Sequence, residues 1–338
     1  MLFGEKGLKM ASFEKIIAVL SNNFDETFSF LMELADVFSN KGDFEKAFFI
    51  REELLNKNLG VENKIKVLLS LSSDFHKAGM YENAIRVLKE AVVISDDKDS
   101  ILDLLSHLYI EMKDWENTIL CQKMKKNKDN NFIVYSLCQW SAELLSLKDS
   151  KKAIFKIKEA EMIDKNNIHL KLHKADFLIL EGKQEELKGL ALELSDNFPA
   201  FFGIFLKKYL NCFSVDEEVK NLVESHLKKY ENDSYTVHVY TTKLIEENRY
   251  SEAYDTLNAF LSHSTYNPYL YRSYIKCALQ AGKSLNAQYI STFIQEDRVF
   301  EKWFRCENCG YESENFYFRC VRCNKLDALK QIHFDEQR

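Results

Sequence analysis

Four cysteines near the end of the chain have the type and the spacing of metal ligands. They form two C-x-x-C pairs separated by ten residues, Cys306 with Cys309 and Cys320 with Cys323. Each pair folds into a tight turn that presents two sulfurs to one side, so that four thiolates can surround one ion. Tetrahedral thiolate sites suit either Zn²⁺ or iron. The sequence therefore predicts one bound metal ion, iron or zinc, held by these four residues.

The residues around the pairs favour two such turns, or knuckles, joined by a small β-ribbon. Gly310 follows the first pair and Asn324 follows the second, and both residue types tolerate the left-handed backbone conformation that a knuckle needs. Aromatic residues crowd the span between the pairs. They are Tyr311, Phe316, Tyr317 and Phe318.

The remaining cysteines argue against the alternative of two disulfide bonds. Cys121, Cys138, Cys212 and Cys277 are scattered singly through helical-looking sequence, and we expect them to be buried thiols. Four single cysteines and no secretory signal indicate a reducing compartment, where disulfides are rare.

The composition predicts a helical protein that does not bind nucleic acid through its overall charge. Hydrophobic residues make up 46% and charged residues 29% of the 338 residues, with only 10 Gly and 2 Pro. Because β-proteins use Gly and Pro in their turns, this scarcity favours helices with short connections. The net charge of −6 gives no bulk attraction to nucleic acid. No apolar run approaches the ~18 residues of a membrane span.

A repeat of about 34 residues runs through the chain before the cysteine pairs. A short turn followed by an aromatic or apolar residue and then a small residue recurs, as in Gly42-Asp43-Phe44-Glu45-Lys46-Ala47. The turns start at residues 42, 79, 113, 148, 182, 248 and 282, and a worn copy lies near residues 213–218. Apolar residues at helical spacing flank each turn and predict helical hairpins that bury their apolar faces by stacking.

This period and turn resemble the tetratricopeptide repeat. The predicted fold class is therefore all-α, a superhelical tetratricopeptide solenoid with a small C-terminal rubredoxin-like metal-binding β-ribbon. We expect the solenoid to cover residues 1–300, with about eight repeats of which the first, at residues 12–24, is partial. The ribbon is expected to cover residues 301–338.

Two further groups of residues have structural interpretations. The phenylalanines of the irregular stretch 199–235 and just before it are expected in the core. They are Phe198, Phe201, Phe202, Phe205 and Phe213. His169 and His173 lie four apart on a predicted helix without a third ligand nearby, and we expect them on a solvated face. No motif for nucleophilic, metallohydrolase or phosphate-binding chemistry is present, so the sequence does not predict an enzyme.

The knuckle sequence from Cys306 to Tyr311 resembles that of rubredoxins, although the second knuckle lacks the usual glycine. A tetratricopeptide array that ends in such a ribbon resembles the lipopolysaccharide assembly protein B family, most specifically from Trp303 to Ile332. In that family the four ribbon cysteines bind metal, which implies the same role for Cys306, Cys309, Cys320 and Cys323.

The resemblance also implies a function. The family consists of non-enzymatic adaptors at the cytoplasmic face of the bacterial inner membrane. They regulate lipopolysaccharide biosynthesis by promoting proteolysis of the lipid A pathway deacetylase by the membrane-bound AAA+ protease. These two enzymes are the expected partners. Family members carry an N-terminal transmembrane helix that this sequence does not show, so membrane association is expected through partners or through an anchor ahead of Met1.

Two other functions stay open on the sequence alone. The chain could be a general protein-interaction scaffold whose ribbon transfers electrons or holds a structural zinc ion. Nucleic-acid binding by the ribbon has weaker support, because carboxylates at Glu307, Glu312, Glu314 and Asp327 offset its basic residues. Those basic residues are Arg305, Arg319, Arg322, Lys325 and Lys330.

Overall fold

Helical hairpins followed by a small β-sheet make up the chain. The computed structural model describes residues 13–17, 19, 24–263, 268–287, 289–291 and 302–332. The all-α fold class with a C-terminal β-ribbon is confirmed. The chain divides into two compact units, Met1–Asp164 and Lys165–Arg338. The expected boundary between residues 300 and 301 lies outside the described residues.

The first unit contains four helical hairpins in its described part. Their helices are α1 (Phe24–Asn40), α2 (Phe44–Leu55), α3 (Val61–Lys77), α4 (Tyr81–Ile94), α5 (Lys98–Glu111), α6 (Trp115–Met124), α7 (Asn130–Ser146) and α8 (Ser150–Asp164). Of the partial repeat expected at residues 12–24, residues 13–17 and 19 are described and helical. Phe13 packs its ring edge against Phe38 of α1, so this segment contributes to the same core.

The second unit continues the same pattern up to the β-sheet. Its helices are α9 (Ile168–Leu180), α10 (Gln184–Asn197), α11 (Pro199–Leu210), α12 (Glu217–Lys229), α13 (Ser234–Glu246), α14 (Tyr250–His263) and α15 (Pro268–Ala281). Odd-numbered helices are the first helices of the hairpins, and even-numbered helices are the second. Among the described residues, no helix is both long enough and apolar enough to cross a bilayer.

The turn residues predicted from the repeat adopt the left-handed conformation in all seven clear copies. Four of them are glycines, and the other three are Lys113, Lys148 and Asn248, with φ between 57° and 62°. In each copy the next residue donates its N–H to the carbonyl five residues earlier, as Met80 does to Phe75 at 2.8 Å. This Schellman pattern satisfies the last carbonyls of the first helix and reverses the chain.

The worn copy forms a hairpin with a longer loop. α11 ends at Leu210 and α12 begins at Glu217, and no residue of this loop has positive φ. The alanine expected after the turn is fully buried in four of the second helices, at Ala47, Ala84, Ala153 and Ala253, whereas Ala287 is exposed. Close approach of the two helices in a hairpin therefore depends on this position.

The phenylalanines of the irregular stretch belong to the core of the second unit, as expected. Phe202 and Phe205 are buried, and Phe198, Phe201 and Phe213 pack against the same cluster. The backbone of α11 also comes close to α13, because a Cβ atom at Gly203 would lie 2.8 Å from Oγ1 of Thr236. Glycine at this position therefore permits the contact between the two helices.

The β-sheet has three short strands in the order β2-β1-β3, all antiparallel. They are β1 (Phe304–Cys306), β2 (Glu312–Ser313) and β3 (Leu329–Gln331). Arg305 lies opposite both Glu312 of β2 and Lys330 of β3. β2 lies in the aromatic span between the cysteine pairs, and β1 and β3 lie before and after that span.

The sheet packs against the first helices of the second unit through aromatic side chains. The ring of Trp303 lies 4.6 Å from that of His238, 5.1 Å from Tyr269 and 5.4 Å from Tyr235, measured between centroids. Phe304 contacts Tyr235 at 4.9 Å. Trp303 and Phe304 are each only 1% exposed, so the ribbon completes the core of this unit.

A second set of contacts joins the other end of the ribbon to α9 and α11. Phe201 packs its ring edge on Phe316 at 5.6 Å, and His169 lies 4.0 Å from the ring of Phe318. His169 also places Nε2 3.2 Å from a carboxylate oxygen of Asp327. The ribbon thus covers one face built from four first helices, α9, α11, α13 and α15.

We predict that Lys148→Gly stabilises the first unit by about 0.5–1 kcal/mol, because glycine adopts the left-handed conformation without the steric cost of a side chain. Urea unfolding followed by circular dichroism measures the change. The matched opposite substitution is Gly79→Ala, where the added Cβ would meet no atom within 4 Å. Its expected destabilisation therefore comes only from the backbone conformation. A change in the free energy of unfolding of the same sign in both variants would contradict the conformational role of the turn residue.

Trp303→Ala is expected to destabilise the second unit by about 3–5 kcal/mol, since it removes a large buried side chain that three aromatic rings contact. Hydrogen exchange should show lost protection in the ribbon and in α13, with α1 to α8 unchanged. Trp140→Ala in the first unit is the control and should leave ribbon protection intact. If the amide protons of the ribbon were still protected from exchange in Trp303→Ala, the aromatic contacts would not be what holds the ribbon on the helices.

Candidate metal centre

The structure brings the four predicted cysteine ligands together at the end of the ribbon. The sulfur atoms of Cys306, Cys309, Cys320 and Cys323 all lie within 4.8 Å of one another. Sγ of Cys306 is 3.6 Å from Sγ of Cys323, and Sγ of Cys309 is 3.7 Å from Sγ of Cys320. No disulfide joins any of them. Each of these close contacts links one knuckle with the other.

These distances fit a tetrahedral ion. With metal–sulfur bonds of about 2.3 Å, the sulfurs of a regular tetrahedron lie about 3.8 Å apart. Among the described residues, no other group of three or more histidine, cysteine or acidic side chains has this compactness. The donor set and its size are therefore consistent with one thiolate-bound metal ion.

The two knuckles have the same backbone geometry. In the first, Cys306 donates its N–H to the carbonyl of Tyr311 at 2.8 Å, and Gly310 donates to the carbonyl of Cys306 at 2.9 Å. In the second, Cys320 donates to Lys325 at 2.9 Å and Asn324 donates to Cys320 at 2.8 Å.

The two residues predicted to be left-handed, Gly310 and Asn324, have the positive φ that this knuckle geometry requires. Gly310 has φ of 70° and Asn324 has φ of 59°. A Cβ at Gly310 would meet no atom within 4 Å, so the turn conformation and not the available space favours glycine there. Asparagine replaces the usual glycine of the second knuckle without changing its hydrogen bonds.

Backbone N–H groups point at the second sulfur of each knuckle. The N–H of Lys325, and then the side chain of Asn308, stabilise the thiolate of Cys323 and lower its pKa to about 6. The N–H of Tyr311 lowers the pKa of Cys309, but desolvation and the three neighbouring thiols outweigh it and raise that pKa. Four sulfurs this close cannot all ionise without a compensating charge, and a divalent cation supplies that charge.

Burial divides the four cysteines into an inner and an outer pair. Cys306 and Cys320, the first of each knuckle, are buried, whereas Cys309 and Cys323 are partly exposed. Cys306 ends β1, two residues after the buried Phe304 and three after the buried Trp303. The strand that anchors the ribbon on the helices therefore also positions the first sulfur.

His169 and His173 are not on a solvated face, and that expectation was wrong. Both are buried, and burial lowers the pKa of His173 to about 4. The ribbon causes the difference for His169, because Phe318 and Asp327 cover its imidazole. A helical pattern read from α9 alone cannot reveal a covering element 150 residues away.

Asp233 is a further residue of the ribbon contact that the sequence did not single out. Its carboxylate caps α13 by accepting from the N–H of Thr236, and it accepts from Nε2 of Gln331 in β3 at 3.2 Å. It also lies 3.0 Å from Nε2 of His226. Because an aspartate directly before a helix is a common cap, the sequence could indicate that Asp233 begins a helix, but not that it contacts the ribbon.

The four single cysteines take no part in the metal centre. Cys121, Cys138 and Cys277 are buried as expected, and burial raises the pKa of Cys121 and Cys277 to about 11. Cys212 is exposed, which corrects the expectation for that residue, because it lies in the long loop of the worn repeat.

Comparison with solved structures yields helical repeat proteins. A tetratricopeptide repeat protein from Parabacteroides merdae superposes on 80% of this chain and 98% of its own, with 13% identity and a TM-score of 0.32. Yeast Tom70 superposes on 80% of this chain and 68% of its own, with 14% identity and a TM-score of 0.31. Scores this low carry no argument about function.

Comparison of sequences is more informative, although no family model matches the chain. Lipopolysaccharide assembly protein B of Haemophilus influenzae is 21% identical over 322 residues, which cover 90% of this chain and 79% of that protein. The protein of the same name from Escherichia coli K12 is 19% identical over 314 residues, covering 89% and 80%. The resemblance expected from the repeats and the ribbon is thereby confirmed: over nine-tenths of its length, this chain is similar to lipopolysaccharide assembly protein B.

Proposed function

We propose that this protein is a non-enzymatic adaptor that regulates lipopolysaccharide biosynthesis. In this proposal it promotes proteolysis of the lipid A pathway deacetylase by the membrane-bound AAA+ protease at the cytoplasmic face of the inner membrane. The observation that carries the proposal is the similarity to lipopolysaccharide assembly protein B along nine-tenths of the chain. Stacked helical hairpins, which offer extended surfaces for other proteins, support an adaptor role.

The proposal includes the metal ligands and the division of the chain. Cys306, Cys309, Cys320 and Cys323 bind one iron or zinc ion, and the sulfur separations of 3.6 and 3.7 Å support this assignment. Residues 1–300 form the repeat array and residues 301–338 form the metal-binding domain. The bound ion cross-links the two knuckles and balances the charge of the thiolates.

A structural role for the ion follows from the size of the ribbon. So few residues bury too little apolar surface to fold alone, and metal supplies on the order of 10 kcal/mol to comparable zinc peptides. The ribbon in turn covers the first helices of the second unit. We infer that metal binding maintains a surface of the adaptor and takes no part in a reaction.

Cys309→Ser is expected to abolish metal binding and unfold the ribbon while most of the helical signal remains. The measurements are metal content per chain by mass spectrometry and far-ultraviolet circular dichroism. Cys212→Ser is the matched control, because Cys212 is exposed and lies outside the metal centre. Retention of a full equivalent of metal by the Cys309→Ser protein would contradict the ligand assignment.

In the native host, depletion of this protein is expected to lengthen the half-life of the deacetylase severalfold. Pulse-chase measurement of the deacetylase provides the test. Re-expression of the parent or of Cys212→Ser should restore rapid turnover, whereas Cys309→Ser should not. A deacetylase half-life that depletion leaves unchanged would end the proposed regulatory role.

A further inference from the structure

Several cations share one side of the second unit, next to the ribbon. Tyr269 of α15 contacts Trp303, and Arg272 and Lys276 follow it three and seven residues later, on the same face of the helix. On the neighbouring first helices, Lys207 of α11 and Lys243 of α13 line a common cavity of about 120 Å³. We call Lys207, Lys243, Arg272 and Lys276 the basic stripe.

Little negative charge compensates the basic stripe. Among the described residues, no ion pair involves Lys207, Arg272 or Lys276, and Nζ of Lys243 lies as far as 4.0 Å from Glu246. Nζ of Lys207 donates instead to the neutral side chain of Asn315 in the ribbon at 3.1 Å. Two nearby carboxylates in the described part of the chain are Glu246, which lines the cavity, and Glu314 of the ribbon, which acts on Tyr235.

His238 lies beside Lys207 of the basic stripe. It lines the same cavity and packs on Trp303. Burial, and then the charge of Lys207, lower its pKa to about 4. The imidazole is therefore neutral at physiological pH, and the charged groups that line the cavity are Lys207, Lys243 and Glu246.

The fold does not require Arg272 and Lys276. They lie ten and six residues before the turn residue Gly282, and the other hairpins with a left-handed turn have no Arg or Lys at either position. The corresponding pairs are Met32 and Asp36, Leu69 and Ser73, Asp103 and His107, Cys138 and Ala142, Leu172 and Asp176, and His238 and Thr242.

The helix dipole accounts for only part of the stripe. Lys207 and Lys243 lie in the last turns of α11 and α13, where a cation stabilises the carbonyl end of a helix. Arg272 is the fifth residue of the fourteen in α15, far from the last turn where the dipole favours a cation. Within the part of the chain that the structure describes, the exposed Arg272 has no carboxylate partner, so its charge is available to a ligand.

We propose that the basic stripe binds an acidic, extended segment of a protein partner. This inference rests on the proposed adaptor function and adds the chemistry of the partner. Charge complementarity selects a carboxylate-rich segment, and the cavity between α11 and α13 accommodates one of its side chains. A flat bilayer could reach the exposed Arg272 and Lys276 but not the half-buried Lys207 beside the ribbon. Nucleic-acid bases are less suited to this surface, since the described aromatic residues Tyr235 and Tyr269 both pack on the buried Trp303.

The test uses the full metal-loaded chain and a fluorescein-labelled peptide of ten glutamates, with binding followed by fluorescence polarisation. We expect the double variant Arg272→Glu, Lys276→Glu to weaken binding at least tenfold. The control is Lys151→Glu, Lys158→Glu, which makes the same change in net charge at exposed lysines of α8 and should weaken binding less than twofold. Circular dichroism and metal content establish that both variants stay folded.

Three binding results would overturn the inference. They are no peptide binding by the parent protein, an equal loss of affinity in both variants, and tighter binding of the parent to another anion. For the last of these, the parent is compared on vesicles containing phosphatidylglycerol and on a ten-nucleotide single strand. Tighter, stripe-dependent binding to either would assign the stripe to that ligand. Deacetylase turnover in the host separates the two proposals. If the Arg272→Glu, Lys276→Glu variant supports normal turnover, the basic stripe is not needed for partner binding, but the adaptor role is unaffected.

Discussion

A helical hairpin cannot bury its own apolar face, and the structure depends on how each such face is covered. Within each unit, neighbouring hairpins cover one another, and the left-handed turns with their repeated N–H to carbonyl bonds keep the two helices of a hairpin in contact. In the second unit the ribbon provides a further cover. It lies across α9, α11, α13 and α15, so that Trp303 and Phe304 are as buried as any helical core residue.

This arrangement makes the metal centre and the helical surface interdependent. Cys306 ends the same strand whose preceding residues insert between the aromatic side chains of Tyr235 and Tyr269. A ribbon opened by loss of its ion would therefore release both the sulfur and the aromatic contact. Conversely, the helices stabilise a fold too small to persist alone. The surface that remains beside the ribbon carries the basic stripe, whose Lys207 is bonded to Asn315.

The sequence was informative wherever a short local pattern determines the backbone. The αL turn residues, including Lys113, Lys148 and Asn248, were located by the repeated turn pattern and its period, and the two knuckles were located by cysteine spacing. Contacts between distant segments could not be derived in this way. The sequence pattern of α9 alone predicts that His169 faces solvent, whereas in the structure Phe318 and Asp327 cover it. The pairing of Leu329–Gln331 with β1 could not be derived for the same reason, since this short strand pairs with one on the far side of both knuckles.

The position of the ribbon after the helices it covers has a consequence for biosynthesis. Ribosomes make Phe201 and Tyr235 well before Trp303, so a nascent chain displays these aromatic side chains until the ribbon has emerged and folded over them. Chaperones and proteases recognise such displayed apolar surface. If the four cysteines bind iron or zinc as proposed, starvation for that metal would reduce the amount of this protein in the cell even when its messenger RNA is plentiful.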